Sequence, residues 1–477
     1  MSRSNGFQHG SELEETVMTL DIKTVSRDQQ AFFRKHQSKD LSFRIEKLKQ
    51  LKSVIQSHEQ QLLQALFKDL GKHEMEAYSS DIGPVLHEID TAVRKVKKWA
   101  APKKVKSPLI LFPAASYIYP EPLGSVLIIG AWNYPVQLVL SPLVGAMAAG
   151  NCAVIKPSEI SEHTSKVIAR MINQTFEKEY ITVVEGGVEE TRVLLDQPFD
   201  HLFFTGSTRV GKIVMSSAAK HLTPVTLELG GKNPCIVDKE CDLDLAGRRI
   251  AWGKYFNAGQ TCIAPDYLLV HSSVKDALIS ALKKSVIGFY SKDPANSSDY
   301  GRIINDAHFS RIAALMAEGK IVFGGQKNPE TRFIAPTIID EADWHHNVMQ
   351  EEIFGPLLPI LTYDNLDQVI EEIAPNPKPL ALYFFSSNPQ NQEKVITRLS
   401  AGGISINDTF AQIMNTNLPF GGVGESGTGG YHGRHSFDTF SHAKGVVKRK
   451  TWADPKTKYP PYKIPLSMLK KGLKYLY

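Results

Sequence analysis

The chain has 477 residues, 42% hydrophobic and 22% charged, with a formal net charge of +5. That length exceeds one ordinary core and predicts two or three globular domains. Residues 444–477 hold ten Lys or Arg and one acid, Asp454, which leaves 45 basic and 49 acidic residues elsewhere. Such a balanced body excludes bulk nucleic-acid binding.

Residues 1–20 read as a loose polar arm with no apolar stretch of a secretory signal. Residues 41–68, rich in Leu, Ile and Lys, predict a helix. Ile82, Val85, Leu86, Ile89, Val93 and Val96 then recur at helical spacing, an apolar stripe that faces a core. Residues 101–122 carry five prolines together with Tyr117 and Tyr119, which predicts extended chain outside the main sheet. A regular alternation follows. Strands are expected at Val126–Ile129, Cys152–Ile155, Ile181–Val184 and His201–Phe204, with helices up to Gly150, over Ser161–Phe176 and after Gly211. Strand–loop–helix alternation predicts an α/β fold with a parallel sheet, doubly wound, whose ligands bind beyond the carboxyl ends of the strands. A second series runs from Ile236 through Ile406, with strand-like Tyr267–Val270, Ile321–Phe323, Leu380–Phe385 and Ile404–Ile406. No apolar run approaches the ~20 residues of a spanning helix.

Four cysteines occur, at 152, 235, 241 and 262, without a C-x-x-C pair or zinc-like His spacing. No metal site is expected, and scattered thiols suit a reducing cytoplasm. Cys152, Cys235 and Cys241 read as small buried hydrophobes. Cys262 differs because Gly259-Gln260-Thr261 leads into it, a turn whose backbone N–H groups can face a site. A thiolate is a strong nucleophile and a good leaving group on a carbonyl. Glu228 interrupts the strand-like stretch Pro224–Leu229 just before a Gly-Gly turn; alone it reads first as an exposed edge residue and only second as a base. Asn133, in a loop after a buried strand, is either an oxyanion donor or a turn residue ahead of Pro135. Lys156-Pro157-Ser158-Glu159 ends another strand, where a Lys and an acid suit ribose hydroxyls or a solvated turn. Gly206-Ser207-Thr208-Arg209-Val210-Gly211 lies between strand and helix, where glycines and a helix N-terminus can approach a pyrophosphate; as a bare pattern it is weak. Glu351-Glu352-Ile353-Phe354-Gly355-Pro356 and Leu418-Pro419-Phe420-Gly421-Gly422 are turns holding an aromatic.

W-N-Y-P, K-P-S-E, G-S-T-R-V-G, L-E-L-G-G-K, G-Q-T-C, E-E-I-F-G-P and L-P-F-G-G, in this order and spacing, resemble the aldehyde dehydrogenase superfamily. The resemblance covers about residues 25–450, and G-Q-T-C-I-A-P-D-Y and Y-H-G-R-H-S-F-D-T-F-S-H look most like its class 3 branch of fatty and aromatic aldehyde dehydrogenases. It implies two doubly wound open parallel-sheet domains and a small β oligomerisation element. The expected division is coenzyme-binding at 1–102 and 123–229, catalytic at 230–429, oligomerisation at 103–122 and 430–450, and a basic tail at 451–477. It implies Cys262 as nucleophile, Glu228 as general base, and Asn133 with the Cys262 N–H as oxyanion donors. Lys156 and Glu159 would hold the adenosine ribose, and Ser207 with Gly206 and Gly211 the pyrophosphate. Glu352 would bind the nicotinamide ribose, and Phe354 would pack near the nicotinamide. Tyr134 and Phe420 suggest an aromatic-lined substrate tunnel suited to medium or long aliphatic, aromatic or polyene aldehydes. The coenzyme expected is NAD, with NADP open, and the assembly a homodimer. A CoA-acylating relative and a catalytically idle protein on this fold are the alternatives; Glu228 and the intact Cys262–Asn133 set weigh against each. Glu425 is a departure, since relatives often carry a small polar residue there.

Leu466, Leu469, Leu473 and Leu476 recur at helical spacing among Lys470, Lys471 and Lys474. A helix over 464–477 would carry an apolar and a basic face, fit for an anionic membrane surface or for packing on its own dimer or over the substrate mouth.

Overall fold

The computed structural model describes residues 22–454 and 456–476, so the expected arm at 1–20 lies outside the described residues. Two parallel sheets dominate the α/β fold. In the first, the strands run Val225–Glu228, His201–Thr205, Ser125–Ile129, Cys152–Lys156, Ile181–Val183, all parallel. Chain order reverses direction across the sheet at Ser125–Ile129, and the crevice beyond the strand ends there is the ligand position of doubly wound sheets. Alternation along that strand explains the two layers: Val126 and Ile128 enter one core, Leu127 and Ile129 a second. Gly427–Thr428 returns from far along the chain and pairs antiparallel with Val225–Glu228. Glu228 therefore does not sit on a free edge; it is 4% exposed.

The second sheet orders Lys320–Phe323, Thr337–Asp340, Leu357–Tyr363, Tyr267–His271, Pro234–Val237, Ala381–Phe385 and Gly403–Ile406; the first of these is antiparallel and the rest are parallel. The Pro/Tyr-rich stretch forms a third, antiparallel sheet, with Ala114–Pro122 between Lys103–Val105 and Ser441–Arg449. Ser441–Arg449 is its outer strand and is largely exposed.

Helices cover the sheets as their apolar stripes require. Gly83–Trp99 buries Val85, Leu86, Ile89 and Val96. The helix expected over 41–68 is two helices, Leu41–Ser57 and Glu59–Leu70, joined at His58, whose φ/ψ of −107°/8° leaves the helical region. Asp40 caps the first by accepting from the Phe43 N–H at 3.0 Å, and Gly71 at φ +64° ends the second. Gln137–Ala149 is apolar all round and buried along its whole length, with Pro142 inside it. It is a core helix. Among the described residues, no helix is long and apolar enough to cross a membrane.

Candidate active site

The segment carrying Cys262 is held by unusual backbone. Helix Leu243–Tyr255 ends in a turn where Asn257, Ala258 and Gly259 have φ of 52°, 51° and 76°. Three successive left-handed residues, two of them not glycine, reverse the chain at a local cost that the surroundings must offset. Gln260, fully buried, provides part of that offset. Its amide donates to the Asn257 and Arg302 carbonyls and accepts from the Ile304 N–H, all at 3.0 Å. Asn133 Nδ2 donates to the Gln260 carbonyl at 3.1 Å, and Asn233 Nδ2 donates to the Cys262 carbonyl at 2.7 Å. Tyr134 Oη lies 2.5 Å from Thr261 Oγ1. A Cβ on Gly259 would stand 2.3 Å from the Gly355 carbonyl oxygen. The glycine thus lets the G-Q-T-C and E-E-I-F-G-P segments touch through their backbones.

Two cavities meet at this turn. The larger, about 520 Å³, is walled by Tyr134, Leu138, Trp252, Phe256, Phe410 and Phe420 and reaches Cys262. The smaller, about 360 Å³, is walled by Asn133, Gly206, Ser207, Glu228, Glu352 and Phe354 and also reaches Cys262. The thiol is the wall they share.

Burial pushes the Cys262 thiol above its ordinary range; the charges of Glu352 and Glu228 add, while the N–H groups of Cys262 and Ile263 oppose. Burial likewise raises Glu228 well above the usual carboxylate range. Neither of its carboxylate oxygens has a hydrogen-bond partner. A buried acceptor without a partner is costly and points to a group that acts only when a ligand or water arrives. Glu352 is pushed up to about 8, first by burial and then by Asp266, against the Gly231 N–H, Lys232 and Arg311. A Cβ on Gly230 would stand 2.0 Å from Glu352 Oε2, so the Gly-Gly turn is what admits this carboxylate.

Other residues hold the Glu352 segment. Arg311 Nη2 donates to the Ile353 carbonyl at 2.6 Å. Asp266 accepts from the Ile353 N–H at 3.0 Å and from Lys232 Nζ at 2.5 Å. The sequence reading missed Arg311, and quoted Lys232 and Asp266 without a task. It also assigned nothing to Trp132, whose ring meets Phe354 at 5.2 Å and His308 at 4.9 Å. On the larger cavity it missed Trp252, Phe410, Tyr431 and His432. Trp132 was legible inside W-N-Y-P; Phe410 lay in no motif.

The smaller cavity fits a dinucleotide in two respects. Ser207 Oγ accepts from the Val210 N–H at 3.4 Å and caps helix Thr208–Ala219, whose N-terminus opens at the cavity, a setting suited to phosphate. Glu352 Oε1 has no partner and is free to accept from a hydroxyl. Two expected contributors stand apart. Lys156 Nζ, at the end of Cys152–Lys156, donates to the Pro157 carbonyl at 2.8 Å and to Glu159 Oε2 at 3.1 Å, and the pair is not part of this cavity's wall. Gly211 is inside the helix, where a Cβ would stand 2.8 Å from Leu229 Cδ2. It serves close helix packing and does not line the cavity. Glu425 lies against helix Thr208–Ala219: its carbonyl accepts from Thr208 Oγ1 and its carboxylate from Lys212 Nζ, both at 3.1 Å.

Comparison with known proteins agrees with this geometry. The family model described as "Aldehyde dehydrogenase family" matches residues 17–446. The chain is 51% identical to 4,4'-diaponeurosporen-aldehyde dehydrogenase of Staphylococcus aureus, over 94% of this chain and 98% of that protein. It is 48% identical to the dimeric NADP-preferring aldehyde dehydrogenase of Canis lupus familiaris, over 92% of this chain and 98% of that one. The solved substrate-bound state of Staphylococcus aureus AldH superposes with a TM-score of 0.93 at 50% identity, covering 95% of this chain and 99% of that one. Two cavities converging on one cysteine, in a chain matched almost end to end by these enzymes, identify it as an oxidoreductase that belongs to the aldehyde dehydrogenase family.

Proposed function

We propose that the protein oxidises apolar aldehydes, aliphatic of medium or long chain, aromatic or polyene, to carboxylic acids with NAD(P)⁺. The observation that carries this is the position of Cys262 between an aromatic-walled cavity and a polar one. The apolar cavity takes the aldehyde's tail, with Tyr134 and Phe420 against it. The Cys262 thiolate adds to the carbonyl carbon. The oxyanion formed accepts from Asn133 Nδ2 and a backbone N–H of the Cys262 turn, which stabilises charge as it develops. When bound, a nicotinamide coenzyme would supply the acceptor for the hydride that the thiohemiacetal gives up in becoming a thioester. Ser207 and Gly206 would hold its phosphates, Glu352 a ribose hydroxyl, and Phe354 would pack near the nicotinamide. Lys156 and Glu159 would reach the adenosine ribose from the neighbouring strand end. Glu228 then takes a proton from water, which attacks the thioester carbon and releases the acid and the thiolate.

The division proposed is coenzyme-binding at 1–102 and 123–229 and catalytic at 230–429, with Gly427–Thr428 of the latter range crossing over to join the first sheet. The exposed outer strand Ser441–Arg449, with 103–122, would pair two copies into a homodimer. The tail helix Leu466–Leu476 shows Leu466, Met468 and Leu469 beside Lys470 and Lys471 to solvent, a composition suited to an anionic membrane surface; Leu476's side chain lies outside the described residues. If a chain ending at Pro461 partitions onto anionic vesicles as the full chain does, the tail has no such role.

The test of the main reading is NAD⁺ and NADP⁺ reduction with aldehydes from acetaldehyde to hexadecanal, retinal and benzaldehyde, beside a Cys262→Ala control. Rising kcat/KM with chain length, lost in the control, is expected. No turnover of any of them refutes the reading.

A further inference from the structure

Close to Asn133 lies a set of buried charges that the chemistry above does not use. Lys72 is 1% exposed and Asp81 is fully buried. Lys72 Nζ donates to Asp81 Oδ2 at 2.8 Å and to the Asn133 carbonyl at 2.9 Å. The same ammonium stands 4.0 Å from the centroid of the Tyr134 ring. Asp81 Oδ1 accepts from the Val136 and Gln137 N–H groups at 3.2 and 3.4 Å. The ion pair therefore grips the W-N-Y-P loop at the Asn133 carbonyl and again just past Tyr134, at the Val136 and Gln137 N–H groups. Asp81 itself belongs to a single π-helical turn, Tyr78–Ile82, inserted between two α-helices. From the other side, Asn257 Nδ2 donates to the same Asn133 carbonyl at 3.0 Å, and the Asn257 N–H donates to Glu76 Oε1 at 2.9 Å.

Burying an ion pair carries a large desolvation cost, and well-packed apolar residues would often serve stability as well. The pair's bonds to the loop supply a different reason for its presence. We propose that Lys72 and Asp81 are positioning residues for the reaction: they fix the Asn133–Tyr134 backbone so that the Asn133 amide meets the oxygen of the reacting aldehyde. This rests on the reading of Asn133 as an oxyanion donor.

The experiment compares Asn133→Ala, the double variant Lys72→Gln/Asp81→Asn, and their combination, using full-length protein, NAD⁺ and octanal. The double variant removes both charges, so neither is left buried alone. It is expected to lower kcat at least about tenfold, to leave KM within about threefold, and to slow the pre-steady-state burst of NADH. Added to the double variant, Asn133→Ala should cost much less than it costs alone, because the two act through one contact. A general structural defect would instead give additive losses and would overturn the proposal. So would a fully active double variant beside a slow Asn133→Ala. A fully active Asn133→Ala removes the oxyanion reading itself, and the proposal with it. Where the double variant melts below the assay temperature, Lys72→Arg carries the same test: it keeps the charge but not the point contact, so kcat measured below that variant's own Tm should fall with KM kept. Wild-type kcat in Lys72→Arg would then overturn the proposal.

Discussion

Replacing Glu352 with Gln should make the protein more stable at alkaline pH and worse at holding its coenzyme. The carboxyl group sits at about 8, raised mainly by burial, from an ordinary 4.5. The unfolded chain releases this proton near 4.5, while the folded chain keeps it until about 8. Between those values the native state binds more protons, so Glu352 erodes stability as pH rises through the window, and the loss is complete above about 8. At about 1.4 kcal/mol per pH unit the full interval corresponds to an upper limit on the order of 5 kcal/mol. Because the group borders an open cavity, roughly 1–3 kcal/mol is the expected observable. A neutral amide fits the same space beside Gly230 and carries no such pH term. The assay is urea unfolding of both proteins at pH 5 and pH 8.5 without coenzyme. The variant should gain on the wild type between the two pH values by that amount, and its Kd for NAD⁺ should rise. An equal stability difference at both pH values would refute the claim that folding holds this carboxyl protonated.

Three further outcomes are expected. Alkylation of Cys262 by iodoacetamide without coenzyme should accelerate steadily with pH beyond about 8, since burial and two carboxylates hold the thiol above its ordinary range; a plateau below about 8 would contradict this. Glu228→Gln should keep the first burst of NADH yet lose roughly 10²–10⁴-fold in steady turnover, because only thioester hydrolysis needs the base; loss of the burst as well would move Glu228 to an earlier step. Gly259→Ala, at φ +76° with a backbone oxygen 2.3 Å from the new Cβ, should destabilise by about 1–3 kcal/mol, whereas Gly288→Ala, in helix Lys275–Tyr290 with nothing within 4 Å, should stabilise by about 0.5–1 kcal/mol. Matching signs in thermal unfolding would show that the left-handed turn before Cys262 is not under the constraint described.

What was legible in the sequence followed one rule: the signal had to be local. Ser125–Ile129 and Cys152–Lys156 are buried at every position, and within them Val126–Ile129 and Cys152–Ile155 read as unbroken apolar runs. Leu357–Tyr363 is equally central but holds Pro359, a residue usually kept out of central strands. The sheet accommodates it at a change of partner: Pro359 is the last residue registered with Thr337–Asp340, and registration with Tyr267–His271 begins at Ile360. The same rule sorts the site. Cys262, Glu228 and Asn133 each lie in a short motif, so their meeting followed from the family resemblance those motifs carry. Gly211 shows the limit, because a glycine one turn into a helix looks the same in sequence whether it faces a phosphate or Leu229. Lys72 shows it more sharply. It lies 61 residues from the Asn133 carbonyl it bonds, in the polar run Gly71-Lys72-His73-Glu74, which belongs to no motif. Only the fold brings the ammonium under the W-N-Y-P loop, and only there does a lysine become one of the groups that set where Asn133 points.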